Sequence, residues 1–158
     1  MIIPFPSYEY CLKILQGSNE ITDLEIGKDV CRFENVTVFD LTKYPKLKTL
    51  RIGHSAFEYV NELKLVGLNN LESVIIGENS FTKHQNWYGN DPNRHFFAKN
   101  CPKLKSLKMG RYSFSDYTVI EFENVNALEV IEMGDLNEGS NNFRCASLEL
   151  KSILIHNK

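Results

Sequence analysis

Leu47-Lys48-Thr49-Leu50-Arg51-Ile52-Gly53 is one of six copies of a short phrase that runs along this chain. The phrase is L-x-x-L-x-I-G, in which Ile, Val or Met replaces some of the apolar residues. Its central apolar residue is Leu24, Leu50, Val74, Leu107, Ile131 and Ile153, so the steps are 26, 24, 33, 24 and 22 residues. Self-similarity at a period in the twenties is typical of a solenoid, in which successive coils stack on one another.

Within each phrase, apolar residues stand at the fourth and sixth positions and flank a variable fifth position. This alternation predicts a short strand whose apolar side chains point inward. The fifth positions then point outward in one row across a parallel sheet, and we expect this row to bind a partner. Its members include Glu25, Arg51, Ile75, Lys108 and Glu132. Alternating stretches such as Leu63-Lys64-Leu65 predict a second strand on the return side of each coil.

A glycine follows the strand in five of the six copies, and we expect it to supply a positive φ for a sharp turn. Phenylalanine stands four residues after the glycine at Phe57, Phe81 and Phe114. Phe33 and Phe143 are assigned to the same place after longer turns. The pattern predicts a stacked column of aromatic rings in the core.

These features resemble those of leucine-rich repeat proteins, and most of all the BspA-like branch of that family. The resemblance covers residues 21–155 and rests on the doublets Ile52-Gly53, Ile76-Gly77 and Met109-Gly110, each followed by a serine and a phenylalanine. It implies a right-handed, mainly β solenoid with about six parallel strands on one face. It also implies a non-enzymatic module that binds proteins, with a cell-surface adhesin or glycan-binding protein as the alternative. The family's asparagine ladder, expected two residues after each glycine, is absent, since those positions are Asp29, Ser55, Asn79, Tyr112 and Leu136.

The two ends of the repeat array differ. Residues 1–20 are expected to form an N-terminal cap, with a helix that starts at the N-cap Ser7, stops at Gly17 and turns Tyr8, Cys11, Leu12 and Leu15 to one face. Residues 21–158 are assigned to the solenoid, and the chain is one domain overall. No cap follows the sixth copy, Leu150–Ile155. Its edge either pairs with a second copy of the chain, continues into a longer array, or stays exposed.

The third coil is nine residues longer than the common 24, and the extra length lies around residues 83–95. Insertions in repeat proteins emerge on one face and often bind. Trp87, Tyr88 and Arg94 in this loop are of the types enriched at binding hot spots. The alternative is that Trp87 folds back and covers a gap between coils.

Composition narrows the function further. The net charge of −2 argues against a nucleic-acid partner, which selects for a basic surface. No apolar run approaches the roughly 18 residues of a membrane-spanning helix. Serine hydrolase motifs, phosphate-binding loops and paired catalytic carboxylates do not stand out, so we expect neither an enzyme nor a cofactor. His84, Asp91 and His95 match no common metal-site spacing.

Four cysteines, at Cys11, Cys31, Cys101 and Cys145, form no C-x-x-C pair. Cys101 takes a repeat position that Leu68 and Val125 fill in other coils, so it is expected to be a small buried apolar residue. An intracellular, reducing setting is the expectation, and the cytoplasm the predicted location. The tripeptide Asn35-Val36-Thr37 keeps an extracellular alternative open.

Overall fold

Five copies of the phrase form one parallel sheet in a computed structural model of the chain, which describes residues 7–83, 93–134, 141–144 and 146–152. Equivalent positions of neighbouring copies lie opposite each other, as Leu50 does to Leu24 and Val74. The sheet therefore keeps the register of the phrase. Its strands, in spatial order, are β1 (Asp23–Ile26), β3 (Thr49–Ile52), β5 (Ser73–Ile76), β7 (Ser106–Met109) and β9 (Val130–Met133).

The return segments form a second parallel sheet of five strands, which confirms the prediction of two strands per coil. The chain thus winds as a β-solenoid of about four turns, in which each coil gives one strand to each sheet. Apolar side chains that alternate along both sets of strands fill the space between the sheets. The second sheet consists of β2 (Val38–Asp40), β4 (Glu62–Val66), β6 (His95–Lys99), β8 (Val119–Glu123) and β10 (Ser147–Lys151).

The sequence predicts a sixth copy of the phrase at Leu150–Ile155, with a sixth strand in the first sheet, but the start of this copy pairs with the second sheet. Leu150 and Lys151 belong to β10 in the second sheet, where Leu150 lies opposite Phe122. The segment therefore repeats the return frame of the previous coil. Both frames carry two apolar residues three positions apart, so a four-residue match does not distinguish them. Residues 153–155 lie outside the described part of the chain.

Helix α1 (Tyr8–Gln16) covers the first coil, as the sequence predicts. The Ser7 hydroxyl accepts a hydrogen bond from the Tyr10 amide at 3.1 Å, which caps the helix. The buried face is set by Cys11 and Ile14, whereas Tyr8 and Leu12 are exposed, so half of the predicted face is wrong. The Tyr44 hydroxyl donates to the Ile14 carbonyl and ties the helix to the following coil.

The prediction of a positive φ at the glycine that follows each strand is confirmed at Gly134, at 62°, but not in the earlier coils. Gly53, Gly77 and Gly110 do not have positive φ. A Cβ at Gly77 would lie 2.7 Å from the Gly53 carbonyl carbon and 2.7 Å from the His54 nitrogen. The glycines are therefore needed because adjacent coils approach so closely. The positive φ angles fall on later residues of the turn, such as Phe81 at 58°.

The phenylalanine column is confirmed for four of its five predicted members. Adjacent rings stack nearly parallel with centroids 4.6 to 5.2 Å apart, in the order Phe39, Phe57, Phe81, Phe114 and Phe143. Phe33 lies outside this column. In the first coil Cys31 takes the equivalent turn position, with φ of 56°, and Phe39 from β2 fills the column beside Phe57.

Polar side chains do connect neighbouring coils as a ladder. They stand one residue after Asn79 and Tyr112, the positions two residues past each glycine at which the ladder was expected. The buried Ser80 hydroxyl donates to the Gly53 carbonyl at 2.8 Å, and Ser113 donates to the Gly77 carbonyl at 2.6 Å. Asn142 continues the series with a bond of 2.7 Å to Gly110. The polar residue before Phe81, Phe114 and Phe143 thus satisfies a turn carbonyl of the preceding coil.

Candidate functional site

The outward residues of the first sheet lie side by side across all five strands. Arg51 lies opposite Glu25 on one side and Ile75 on the other, and Lys108 lies between Ile75 and Glu132. All but Ile75, which is half-buried, are exposed. We call these five residues the binding row. It presents two basic side chains around an apolar centre, with an acidic residue at each end.

Only some of the charged side chains in the binding row form ion pairs with one another. Lys108 and Glu132 form an ion pair of 3.4 Å. Glu25 and Arg51 take part in no ion pair or side-chain hydrogen bond within the part of the chain that the structure describes. An exposed guanidinium beside an apolar side chain offers five donors to a carboxylate or carbonyl of another molecule.

The outer face of the second sheet differs, because its charges pair with one another. Lys99 forms ion pairs with Glu121 at 2.7 Å and Glu123 at 3.8 Å. The hydrogen bond from Lys99 lowers the pKa of Glu121, and the same bond raises the pKa of Lys99. Further pairs join Lys64 to Glu62 and Lys151 to Glu149. This face is largely self-neutralised.

Phe97 lies in the middle of that second face, half-buried among polar neighbours. The Lys99 ammonium lies 5.1 Å from its ring centroid, and the His95 ring approaches it edge-on at 5.6 Å. The aromatic ring is thus covered partly by its own sheet. His95 therefore belongs to a strand face, and His84 and Asp91 lie outside the described residues.

Arg94, predicted to bind a partner from the inserted loop, is fully buried. Its Nη2 donates to the Glu58 carbonyl at 3.1 Å and to the Phe81 carbonyl at 3.3 Å. Its guanidinium also lies 5.0 Å from the Tyr117 ring centroid. A side chain with these internal contacts cannot reach a partner, so its predicted role is replaced by a structural one. Trp87 and Tyr88 lie outside the described residues.

Asp116 fixes both sides of the insertion. One carboxylate oxygen accepts from the Lys83 amide at 2.9 Å, and the other lies 3.4 Å from Nε of Arg94. The side chains of Arg94 and Asp116 are both buried. The hydroxyl of the neighbouring Tyr117 donates to the Val60 carbonyl. Burial raises the pKa of Tyr117, which keeps this phenol protonated. Asp116 carries no sequence motif, which is why sequence reasoning missed it.

At β9 and β10, the last strands that the structure describes, side chains are exposed at positions that are buried in earlier coils. Ile131 is 43% exposed and Leu150 is 69% exposed, whereas their counterparts Leu107 and Phe122 are buried. A depression of about 290 Å³ between the two edge strands is lined in part by Leu128. The described residues place no cap here to match α1 at the opposite end.

A disulfide bond between Cys11 and Cys31 joins α1 to the first coil. Cys31 takes the turn position that phenylalanine holds in later coils, so the bond fastens the cap to the repeat itself. Cys101 is free and buried, as predicted.

No group of three acidic, histidine or cysteine residues that could hold a metal ion is found among the described residues. Within the same part of the chain, no helix combines the length and apolar content needed to cross a membrane. Comparison with protein-family models, with curated proteins and with solved structures finds no match for this chain.

Proposed function

We propose that this chain is a non-enzymatic protein-binding module of the leucine-rich repeat type, which uses the binding row on its first sheet. The observation that carries the proposal is the contrast between the two outer faces. Arg51 and Glu25 are exposed without partners, whereas Lys99 and the acidic residues around it neutralise each other. A face with unsatisfied charge around an apolar centre gains more from a complementary protein surface than a self-paired one.

The solenoid architecture supports the same proposal, since stacked coils create extended surfaces that macromolecules bind. The leucine-rich repeat assignment rests on the phrase and on the serine-phenylalanine doublet, which the fold uses for its polar ladder and aromatic column. We assign the chain to the BspA-like branch on the same residues. The right-handed winding follows from that assignment.

Charge reversal on each face tests the proposal. The double variant Arg51→Glu and Lys108→Glu alters the binding row, and Lys64→Glu with Lys99→Glu is the matched control on the second sheet. Wild-type protein is used to recover its partner from native extract, and each variant is checked for folding by circular dichroism. Loss of the partner with the first variant only is expected. Loss with the control only, or with neither, refutes the assignment of the face.

An adhesin or glycan-binding protein is the second candidate function, and the Cys11–Cys31 disulfide favours it. Such a protein works outside the cell, where a disulfide of this kind is retained. Retention of the purified chain on a glycan array supports this alternative if the binding-row variant also loses that retention. Absence of retention on a broad array counts against it.

Edge-to-edge pairing of two copies through Leu150–Ile155 stays a prediction. The exposure of Leu148 and Leu150 on the edge strand β10 supports it. Sedimentation velocity is expected to show a dimer that Leu150→Lys dissociates, whereas Leu12→Lys on the distant helix α1 leaves it intact. A wild-type protein that sediments as a monomer at high concentration contradicts the pairing.

A further inference from the structure

The connection between β1 and β2 carries an Asn-x-Thr tripeptide, Asn35-Val36-Thr37, with its two recognised side chains on the surface. Asn35 and Thr37 are exposed, whereas Val36 between them is buried. The buried valine anchors the tripeptide in the core and turns its neighbours outward. Asn-x-Ser/Thr is the acceptor motif for N-linked glycans and is expected in surface loops of secreted proteins.

The Asn35 amide contacts Tyr8, whose ring in turn packs against Phe33. A hydrogen bond of 2.9 Å from the Val36 amide to the Phe33 carbonyl closes a turn around Asn35. Phe33 is half-buried and meets the Tyr8 ring edge-on at 4.9 Å. Asn35 Nδ2 donates to the Tyr8 hydroxyl at 2.6 Å. Because a side-chain amide has two N–H donors, this bond uses one and leaves the other for substitution.

The Cys11–Cys31 disulfide lies close to Asn35 in the chain and independently indicates an oxidising, secretory environment. Cys31 lies four residues before Asn35, and it is bonded to Cys11 on the helix that also carries Tyr8. Disulfides form in the endoplasmic reticulum and persist outside the cell. Attachment of N-linked glycans takes place along that same secretory route, so the two features agree on one compartment.

We propose that Asn35 is an acceptor of an N-linked glycan whose first sugar packs against the Phe33 ring. Asn35 Nδ2 forms a bond to C1 of the first sugar of a lipid-pyrophosphate-linked oligosaccharide. The C1–O bond to the pyrophosphate breaks, the lipid pyrophosphate leaves with that electron pair, and the Nδ2 proton passes to a base of the transferase. The ring face of Phe33, two residues earlier across the turn, contacts the C–H face of the sugar.

The position of Asn35 is compatible with the proposed function. It lies at the capped end of the solenoid, in the connection that leads away from β1, and not on the outward row of the first sheet. A glycan there leaves Ile75 and Lys108 accessible. It also adds a hydrophilic group beside the exposed Tyr8, whose apolar ring otherwise faces water.

The chain purified from the cells that produce it gives the decisive test. Digestion with an N-glycosidase in ¹⁸O-labelled water converts a glycosylated asparagine to labelled aspartate, which peptide mass spectrometry locates. The expected result is label at Asn35, together with a disulfide-linked peptide pair that contains Cys11 and Cys31. An unlabelled Asn35 overturns the proposal, whatever the state of the cysteines.

A second experiment asks whether the tripeptide is recognised in this chain. The full chain is translated with a secretory signal in the presence of microsomes, where transfer precedes complete folding and does not depend on it. One glycan-sized gel shift is expected for the wild type and for Thr37→Ser, and none for Asn35→Gln or Thr37→Ala. The exposed Asn69→Gln is the matched control and keeps the shift. Absence of a shift in the wild type, or a shift that persists in Asn35→Gln, overturns the proposal.

The contact with Phe33 has its own readout. The glycosylated wild type, produced in a secreting eukaryotic cell, is expected to have a Tm roughly 2–4 °C above that of the same protein after enzymatic deglycosylation. In Phe33→Ala the glycan is still attached but this difference is lost. An equal difference in both proteins shows that Phe33 does not contact the sugar.

Discussion

Phe81 lies at the centre of the phenylalanine column and offers the sharpest test of the fold. It is fully buried between Phe57 at 5.2 Å and Phe114 at 4.8 Å. Truncation of a buried phenylalanine to alanine costs about 3–5 kcal/mol, and each stacked pair contributes about 0.5–1.5 kcal/mol beyond burial. Because Phe81 has two stacked neighbours, we expect Phe81→Ala to lower the free energy of unfolding by about 4–5 kcal/mol, the upper part of that range. Phe97→Ala, on the outer face of the second sheet, is the matched control and is expected to cost about 1 kcal/mol or less.

The backbone at Phe81 adds a second, unusual expectation. Its φ of 58° lies in the left-handed region, which costs a residue with a Cβ about 1–2 kcal/mol. Glycine at an ordinary position is less stable than alanine by roughly 0.5–1 kcal/mol. At this position the relief of backbone strain outweighs the conformational entropy that glycine loses on folding. Phe81→Gly is therefore expected to be more stable than Phe81→Ala by about 0.5–1 kcal/mol.

Urea unfolding followed by far-ultraviolet circular dichroism measures all these variants. The reasoning about packing is refuted if Phe81→Ala and Phe97→Ala lose similar stability. The reasoning about strain is refuted separately if Phe81→Gly unfolds at a lower urea concentration than Phe81→Ala.

Three further predictions concern the coil contacts, the buried ion pair and the second sheet. Gly77→Ala places a Cβ against backbone atoms 2.7 Å away, so we expect a loss of about 2–3 kcal/mol, seen as a lower Tm; an unchanged Tm contradicts the close approach. Asp116→Asn leaves Arg94 charged and buried without its counter-ion, and urea unfolding is expected to show a loss of about 3–5 kcal/mol, part of which the added change Arg94→Met restores. The hydrogen bond from Lys99 lowers the pKa of Glu121. This bond therefore stabilises the fold at pH values above the unfolded-state pKa of Glu121, and that stabilisation is lost as the pH falls through the folded-state pKa. Unfolding of Glu121→Gln and wild type should therefore differ by less than about 1 kcal/mol at neutral pH and converge in acid, and a difference that grows in acid would contradict this assignment.

The first sheet could be predicted from the sequence because its determinants are local and repeated. The alternation of Leu50 and Ile52 around Arg51 sets both the strand and the side of the sheet on which each residue lies. The position of Phe81 four residues after Gly77 likewise recurs at Phe57 and Phe114. Because the pattern occurs several times in one chain, a position that is ambiguous in one copy can be assigned from the other copies.

The features that could not be predicted depend on contacts between coils or between distant residues. The close approach at Gly77 is invisible until the neighbouring coil is in place. Arg94 looks like an exposed loop residue until Asp116, 22 positions later, is brought beside it. The Cys11–Cys31 pairing also needs the docked helix, because spacing alone does not select a partner for either cysteine.

The segment that starts at Leu150 could not be assigned to the correct sheet from the sequence, for a different reason. Its leucine begins an L-x-x-I match to the phrase, yet the same residues match the return segment that follows Phe122. Only the pairing of β10 with β8 decides between the two frames. A single match to the phrase, such as Leu150–Ile155, is therefore too short to assign a strand to a sheet.

A photo-crosslinking comparison of the two outer faces tests the proposed function most directly. A photoactivatable phenylalanine analogue replaces Ile75 at the centre of the binding row, or Phe97 at the centre of the second sheet, and each protein is irradiated in native extract. The account predicts a discrete crosslinked protein from position 75 that Arg51→Glu abolishes, and none from position 97. A crosslinked partner from position 97 alone contradicts it.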